Sequence, residues 1–203
     1  MFAMGAAFFN ASRVSPTTWD PANTGTGATL SSGNLIITKT SGSGSYSTTR
    51  TTTSYSSGKY YFEVKVTETN TSNYMMVGII NSSASLSQAV GTNINGYGYY
   101  EQNGDSYYNN VATAFGSAWG LGDVIGVAVD LTAGKIWFAK NNTWQASGSP
   151  STGANPAYSI TAGGYYAACS VWSTTSPADE LTGQFRAAAQ TYAPPAGFAS
   201  WGS

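Results

Sequence analysis

The stretch from Gly122 to Gln145, GDVIGVAVDLTAGKIWFAKNNTWQ, predicts two strands joined by a turn. Both faces of the first strand carry only apolar or small side chains up to Asp130, which is typical of a central strand covered on both sides. We expect Asp130 to cap the turn at 131–134, because aspartate side chains accept hydrogen bonds from nearby backbone N–H groups. In the return strand Ile136 and Phe138 share one face. The segment therefore predicts the centre of a β-sheet.

The rest of the chain repeats the same pattern at shorter length. Nearly every periodic stretch has period two, no amphipathic helix is evident, and Gly, Ser, Asn and Pro clusters separate the stretches. This pattern predicts a single all-β domain built as an antiparallel β-sandwich. The predicted strands are Asn34–Thr40, Tyr46–Thr52, Lys59–Glu68, Tyr74–Ile80, Gly96–Gln102, Asp105–Asn110, Val124–Asp130, Lys135–Lys140, Tyr165–Trp172 and Leu181–Arg186.

One hairpin has a specific turn signal at Asn103-Gly104. Asn-Gly favours a two-residue type I′ turn, because both central residues of that turn need a positive φ. Such a turn would pair Tyr100 with Tyr107 and Tyr99 with Tyr108. The two tyrosine pairs would then lie on opposite faces of the ribbon.

The composition narrows the functional classes. Charged residues make up only 8% of the 203-residue chain and the formal net charge is -1, which argues against a nucleic-acid-binding surface. Aromatic residues reach 14%, so the chain has enough apolar surface to fold. No apolar run approaches the roughly 20 residues of a membrane span. The apolar start MFAMGAAFF has no positive charge before it, so no signal peptide is predicted. Cys169 is expected to be a small buried strand residue.

The sequence contains few of the side-chain combinations that enzymes use for catalysis. The chain contains no histidine, which removes the usual nucleophile–base pairs and histidine metal sites. No strand places two of the nine acids side by side on one face, as a glycosidase would need. Glu101, Asn103 and Asp105 alternate oxygen ligands in a way that loosely resembles part of a calcium loop, but a hairpin turn explains them equally. We therefore predict a non-enzymatic protein with no catalytic residue, metal or cofactor.

Aromatic side chains are the remaining candidates for binding. Rigid, partly polar rings can stack on sugars or on protein surfaces. Core packing and cross-strand pairing are the alternative explanation for many of them. The candidates come from the predicted hairpin and from the end of the opening stretch. The candidate set is Tyr97, Tyr99, Tyr108, Asn141, Asn142 and Trp144, with Tyr100 and Tyr107 as further rings.

From Trp19 to the end, the chain resembles a SPRY domain of the tailed-phage and bacterial type. The resemblance depends on five segments in order: WDPANTGTGATLSSGNLIIT, SSGKYYFEVKV, MMVGII, GYGYYEQNGDSYYNN and GDVIGVAVDLTAGKIWFAKNNTWQ. The closing YAPPAGFASW is similar to the ending of phage members. LTGQFRAAAQ and the N-terminal MFAMGAAFF depart from the pattern. We therefore divide the chain into an extension, 1–18, as an anchor or an edge strand, and a SPRY-like domain, 19–203.

The resemblance implies a bent, concanavalin-like jelly-roll sandwich that binds a partner through variable loops at one end. The matching loops are Asn70–Asn73, Ser82–Asn95, Asn141–Asn155 and Ser173–Asp179. It further implies a virion protein of a tailed phage, made in the host cytoplasm, whose partners are capsid, tail or fibre proteins and whose own copies are a further option. A lectin-like module that binds host surface glycans is the alternative. Nucleic acid and membrane are not expected partners.

Overall fold

The computed structural model describes residues 16–42, 44–69 and 72–203. Sixteen strands lie within these ranges, together with one short 3-10 turn at Gln145–Ser147. In chain order the strands are β1 (Trp19–Thr24), β2 (Ala28–Ser31), β3 (Ile36–Lys39), β4 (Ser47–Tyr55), β5 (Lys59–Glu68), β6 (Met76–Ile80), β7 (Gly96–Tyr100), β8 (Ser106–Tyr108), β9 (Val111–Thr113), β10 (Val124–Asp130), β11 (Lys135–Lys140), β12 (Thr143–Trp144), β13 (Tyr158–Ser159), β14 (Tyr165–Val171), β15 (Glu180–Gln184) and β16 (Ala199–Ser200).

The strands form two sheets that pack face to face. Sheet A has seven strands in the order β1-β4-β14-β6-β7-β8-β9. Sheet B has nine, in the order β12-β11-β10-β5-β15-β3-β2, with β13 beside β11 and β16 beside β5. All pairs are antiparallel except β16 with β5. The predicted all-β antiparallel sandwich is confirmed, and each of the ten predicted strands corresponds to an observed one.

Strand β10 occupies the centre of sheet B, as the opening stretch predicts. All seven of its residues are buried, and it pairs with β5 on one side and β11 on the other. The Asp130 carboxylate accepts a hydrogen bond from the Ala133 N–H at 2.8 Å, which confirms its role in the turn. Asp130 also forms an ion pair of 3.3 Å with Lys59 on the neighbouring strand.

The main core lies between the two sheets. It is formed by inward-facing aliphatic residues and by large rings such as Trp19, Phe62 and Trp201, all fully buried. Cys169 is also fully buried in this core with a free thiol, and its burial raises the pKa of the thiol. The expectation of a small buried strand residue at this position is confirmed.

The C-terminal segment covers part of the outer face of sheet B. Glu63 is buried, and its carboxylate accepts hydrogen bonds from the Thr191 N–H at 2.6 Å and the Tyr192 N–H at 3.0 Å. It also accepts one from the Tyr61 hydroxyl at 2.7 Å. Three donors therefore satisfy this buried carboxylate, which holds the segment on β5.

The hairpin between β7 and β8 exists, but the predicted turn is wrong. Tyr97 pairs with Tyr108 and Tyr99 with Ser106. The Tyr100 N–H donates to the Asp105 carbonyl at 2.9 Å, so four residues, not two, form the loop. Glu101 is responsible, because it leaves the ribbon and points into the protein, where it is fully buried.

Two-residue turns with a positive φ at both positions occur elsewhere, at two Asn-Asn pairs. Asn109 and Asn110 have φ values of 51° and 59° and join β8 to β9. Asn141 and Asn142 have φ values of 48° and 63° and join β11 to β12. Asparagine tolerates this left-handed conformation better than other residues with a side chain.

Replacing Asn142 with alanine is expected to lower the free energy of unfolding by about 1 kcal/mol, because alanine is strained at a positive φ. Asn142 is exposed, so the change removes little packing. Urea unfolding would measure it, with Asn142→Gly as the matched control that should be nearly neutral. Equal stabilities of the alanine and wild-type proteins would contradict the left-handed assignment.

Candidate functional site

Seven connections meet at one end of the sandwich, called the loop end. They are the segments 25–27, 40–46, 69–75, 101–105, 114–123, 141–142 and 172–179. They meet because neighbouring strands run antiparallel, so every second connection returns to the same end. Residues 43, 70 and 71 of these segments lie outside the described residues.

A continuous row of half-buried rings crosses the outer face of sheet A at the loop end. We call this set the aromatic row. Its ring centroids follow one another at 5.3, 6.3, 5.5 and 4.6 Å. In that order the rings are Tyr107, Tyr100, Tyr74, Trp172 and Tyr46.

Strand alternation places these rings on the outer face. Tyr99 and Val171 point into the core, so the residues that follow them, Tyr100 and Trp172, point outward. A second buried cluster supports the row from below, with Met76 and Ala168 among its members. Tyr46, Tyr100 and Tyr107 pack against this cluster, so three of the five rings rest on buried residues.

A buried carboxylate fixes the loop that carries Trp172. Asp179 is fully buried, and its Oδ2 accepts hydrogen bonds from the N–H groups of Trp172 and Ser173, both at 2.9 Å. The Asp179 N–H donates in turn to the Ser173 carbonyl at 2.9 Å. The segment 172–179 is therefore closed on itself, and the backbone of Trp172 has a defined position.

A second buried carboxylate fixes the loop that carries Tyr74. Glu101 accepts hydrogen bonds from the Met75 N–H at 3.0 Å and from the Thr69 hydroxyl at 2.7 Å. Burial raises the pKa of Glu101 to about 7, although these two hydrogen bonds lower it, and the charge of Asp179 raises it further. Glu101 thus links the 101–105 loop to the 69–75 loop.

A buried lysine fixes the loop that carries Tyr46. Only 1% of Lys39 is exposed, and its Nζ donates to the Ser45 carbonyl at 2.7 Å and to the Ser47 hydroxyl at 2.8 Å. Burial lowers the pKa of Lys39, and the nearby Asp179 charge partly opposes this shift. Each of the three loops beneath the row is therefore held by one buried ionisable group.

The aromatic row itself contains no acidic or basic side chain. Burial is the main cause that raises the pKa of Tyr46 and of Tyr100, and neighbouring tyrosine hydroxyls add to the shift. These phenols therefore stay neutral at physiological pH. The row presents ring faces and hydroxyl groups, which suit stacking and hydrogen bonding, not acid–base chemistry.

The structure does not bring the six sequence-predicted site residues together. Tyr97 and Tyr99 lie in the core with 2% and 0% of their surfaces exposed, so neither ring presents a face to a ligand. The cause is that both face sheet B, whereas the residue between them is a glycine on the outer face. Tyr108 is half-buried and stacks on Tyr97 with centroids 4.6 Å apart.

Asn141, Asn142 and Trp144 lie on sheet B, away from the row. The Asn141 side chain has a structural role. Its Nδ2 donates a hydrogen bond to the Asp123 carboxylate at 2.6 Å, and its Oδ1 accepts one from the Val124 N–H at 2.8 Å. Trp144 is half-buried and packs edge-on against Tyr61 at 6.2 Å. A binding role for these residues and Tyr108 stays a prediction.

The predicted variable loops fall in two places. The described parts of 70–73 and 173–179 lie at the loop end, and so does the 141–142 turn that begins the predicted loop Asn141–Asn155. Ser82–Asn95 instead begins at the opposite end and packs over the outer face of sheet A through Leu86 and Val90. The segment 145–155 folds back over Trp137, whose indole N–H donates to the Ala154 carbonyl at 2.8 Å.

Sequence reasoning missed Tyr46, Tyr74 and Trp172 as candidates. Each directly adjoins a Gly-, Ser-, Thr- or Asn-rich loop: SGSGS, NTSN and STTSP respectively. A search for aromatic residues where predicted strands meet such loops would have found all three. Their contact across loops distant in the chain requires the strand order, which period-two patterns do not specify.

The residues that loosely resemble part of a calcium loop do not converge. Glu101 points into the protein, whereas Asn103 is exposed and donates to the Asp105 carboxylate at 2.7 Å. Among the described residues, no group of three or more His, Cys, Asp or Glu side chains is arranged to hold a metal ion.

No helix in the described residues has the length and hydrophobicity needed to cross a membrane. Residues 1–15 of the N-terminal extension, predicted as an anchor or an edge strand, lie outside the described residues.

Comparison with known proteins identifies relatives. Residues 59–177, more than half of the chain, match the family model of the SPRY domain. Ran-binding protein 9 of Xenopus tropicalis is 29% identical over 132 residues, which cover 62% of this chain and 24% of that protein. Ran-binding protein 10 of Danio rerio is 31% identical over 85 residues, which cover 41% of this chain and 14% of that protein.

The solved structures agree on the fold. The SPRY domain of human HERC1 superimposes with a TM-score of 0.66 at 20% identity, over 82% of this chain and 96% of that one. A second human SPRY domain gives 0.60 at 17% identity, over 78% and 94%. The chain spans about a quarter of the length of the first curated relative. None of these relatives is a phage or bacterial protein.

Proposed function

The chain belongs to the SPRY domain family, and on that premise we propose that it is a non-enzymatic protein-binding domain whose contact surface is the aromatic row. The proposal depends on the continuous contact of five half-buried rings, three from separate loops and two from β7 and β8. Tyrosine and tryptophan dominate the binding energy of protein interfaces, because they are large, rigid and partly polar. The buried groups beneath the row reduce the entropy that its loops would lose on binding.

The relatives supply one concrete protein to test as a partner. They are named Ran-binding proteins, so purified Ran is the first probe for this chain. The shared region is only a quarter of the first relative, so its other segments could carry that activity instead. Binding of Ran to the isolated chain, measured by calorimetry, decides whether this region is sufficient.

A virion role in a tailed phage is a more specific form of the same proposal. It depends on the sequence resemblance, and the animal relatives lend it no support. In this form capsid, tail or fibre proteins, or further copies of the chain, contact the aromatic row. Purification of intact particles that contain the chain at fixed stoichiometry would support it, and absence of the chain from particles would contradict it.

Glycan binding is the second candidate function. Half-buried aromatic rings also stack on sugars, and the aromatic row offers five adjacent rings, four of them tyrosines with hydroxyl groups. A glycan array separates this from protein binding. Array signals that disappear in Trp172→Ala and persist in Trp144→Ala would favour a lectin-like role, and a silent array would exclude the glycans tested.

The deciding experiment compares two surfaces on the same fold. A Tyr74→Ala, Trp172→Ala double variant removes the middle of the aromatic row, and Trp144→Ala removes a half-buried tryptophan of sheet B. A protein partner should lose affinity for the double variant and keep it for Trp144→Ala. A partner that responds in the opposite way would place the contact surface on sheet B.

A further inference from the structure

The edge strand β9 is exposed along its whole length. Val111, Ala112 and Thr113 are all exposed, and no other strand in the described residues pairs with the far side of β9. Tyr108 and Val111 close the two-residue turn and pair with each other. Because hydrogen bonding alternates along an antiparallel ladder, the N–H and C=O of Ala112 point away from β8. They are available to a further strand.

A pocket opens beside this edge. Its volume is about 240 Å³, and it is lined by Tyr108, Asn109, Val111, Thr113 and Tyr158. Val111 and Thr113 lie on the core-facing side of β9, because they pair with Tyr108 and Ser106. The pocket therefore lies between the two sheets at the edge of the sandwich, where no further strand covers the side chains of Val111 and Thr113 in the described residues.

The pocket walls are rigid. Tyr108 stacks on the buried Tyr97 with an interplanar angle of 5°, and Tyr158 contacts Tyr97 at 5.5 Å. The volume is below the roughly 300–1,000 Å³ of pockets that hold drug-sized ligands. It suits a single apolar or aromatic side chain.

The edge lacks the features that usually prevent strand addition. Natural edge strands carry charges or proline, or are covered by other segments. No Asp, Glu, Lys, Arg or Pro occurs from Ser106 to Gly122. Val111 is 60% exposed, and Ile94, which is 62% exposed, lies at the same corner because the Asn93 carbonyl accepts a hydrogen bond from the Asn109 N–H.

We propose that β9 is a second binding surface, which accepts an extended, uncharged segment of a partner protein as an added strand and one apolar side chain of that segment in the Tyr108–Tyr158 pocket. The added strand bonds to the main chain of Ala112. An uncharged segment fits because this edge offers no charged group to pair with a buried ion. The surface adjoins the Tyr107 end of the aromatic row, because Ala112 pairs with Tyr107, but it uses the main-chain edge and the opposite face of β9.

The size of the edge favours a short segment over a second copy of the chain. A stable dimer buries roughly 800 Å² on each partner, which takes about 20–30 residues a side. Strand β9 has three residues. A short strand with one inserted side chain uses the edge and the pocket fully without further contacts.

A phage-displayed library of short random peptides, selected on the full chain, tests the proposal. Val111→Lys adds a charge at the pocket, and Ala112→Pro removes an N–H that the β8–β9 ladder does not use. Leu121→Lys is the matched control, because Leu121 is 63% exposed in the 114–123 loop. Circular dichroism would verify that all three variants fold.

We expect selected peptides to be uncharged, with one large apolar residue, and to bind both β9 variants about tenfold or more weakly while keeping affinity for Leu121→Lys. On binding, hydrogen exchange at the Ala112 amide should slow. A selection in which no enriched peptide is sensitive to both Val111→Lys and Ala112→Pro overturns the proposal. If the chain self-associates and Val111→Lys abolishes that self-association, the occupant of the edge is a second copy of the chain, and the choice of a partner segment is overturned.

Discussion

Between about pH 5 and pH 7.5, the free energy of unfolding is expected to fall by about 2 kcal/mol, and Glu101→Gln is expected to remove most of that fall. Burial is the largest cause that raises the pKa of Glu101, from an ordinary value of 4.5 to about 7. The folded protein therefore holds a proton that the unfolded chain has released. The stabilisation is complete below about pH 4.5 and is lost as the pH rises through about 7.

Urea unfolding at a series of pH values measures this effect directly. The chain contains no histidine, so few other groups titrate in the same window. Glutamine keeps the shape of the side chain and an acceptor for the Met75 N–H. Glu68→Gln is the matched control, because Glu68 is exposed, and it should keep the pH dependence. A wild-type stability that is constant across the window would contradict the burial of an ionisable Glu101.

Trp172→Ala is expected to weaken binding of a protein partner by about 2 kcal/mol, which is roughly 30-fold in Kd. Trp172 lies inside the aromatic row, in contact with both Tyr46 at 4.6 Å and Tyr74 at 5.5 Å. Its loss would remove ring surface and also free its two neighbours to move. Isothermal titration calorimetry of the partner with wild-type and variant chains measures the change.

Two controls separate binding from folding. Trp172→Phe keeps an aromatic ring in the row and should recover much of the affinity. Trp144→Ala removes a half-buried tryptophan from sheet B and should leave the affinity unchanged. Equal loss in Trp172→Ala and Trp144→Ala would indicate a general effect on the fold, not a contact surface at the loop end.

Local patterns predicted the strands well, because burial repeats along each strand at a fixed period. The two-sided strand β10 and its partner β11 were found with their observed bounds. The six strands that were missed, β1, β2, β9, β12, β13 and β16, have six residues or fewer and show too few alternations. Their pairing depends on long-range contacts.

The site was predicted less well, for physical reasons that particular residues make clear. Turn chemistry at Asn103-Gly104 was overridden by Glu101, whose carboxylate is needed by Met75 in another loop. The Tyr97 and Tyr99 rings face sheet B and belong to the core. A period of two shows that both rings share one face of the strand, but it does not show which face meets sheet B. Trp172 and Tyr74 are nearly 100 residues apart in sequence and meet only through the pairing of β14 with β6.

Hydrogen–deuterium exchange of the chain with and without a bound protein partner tests the central claim most directly, because it maps contact without any substitution. If the aromatic row is the contact surface, protection is expected in the segments 69–75, 101–105 and 172–179. Protection confined to the segment 141–145 and to the outer face of sheet B, with those three segments unchanged, would contradict it.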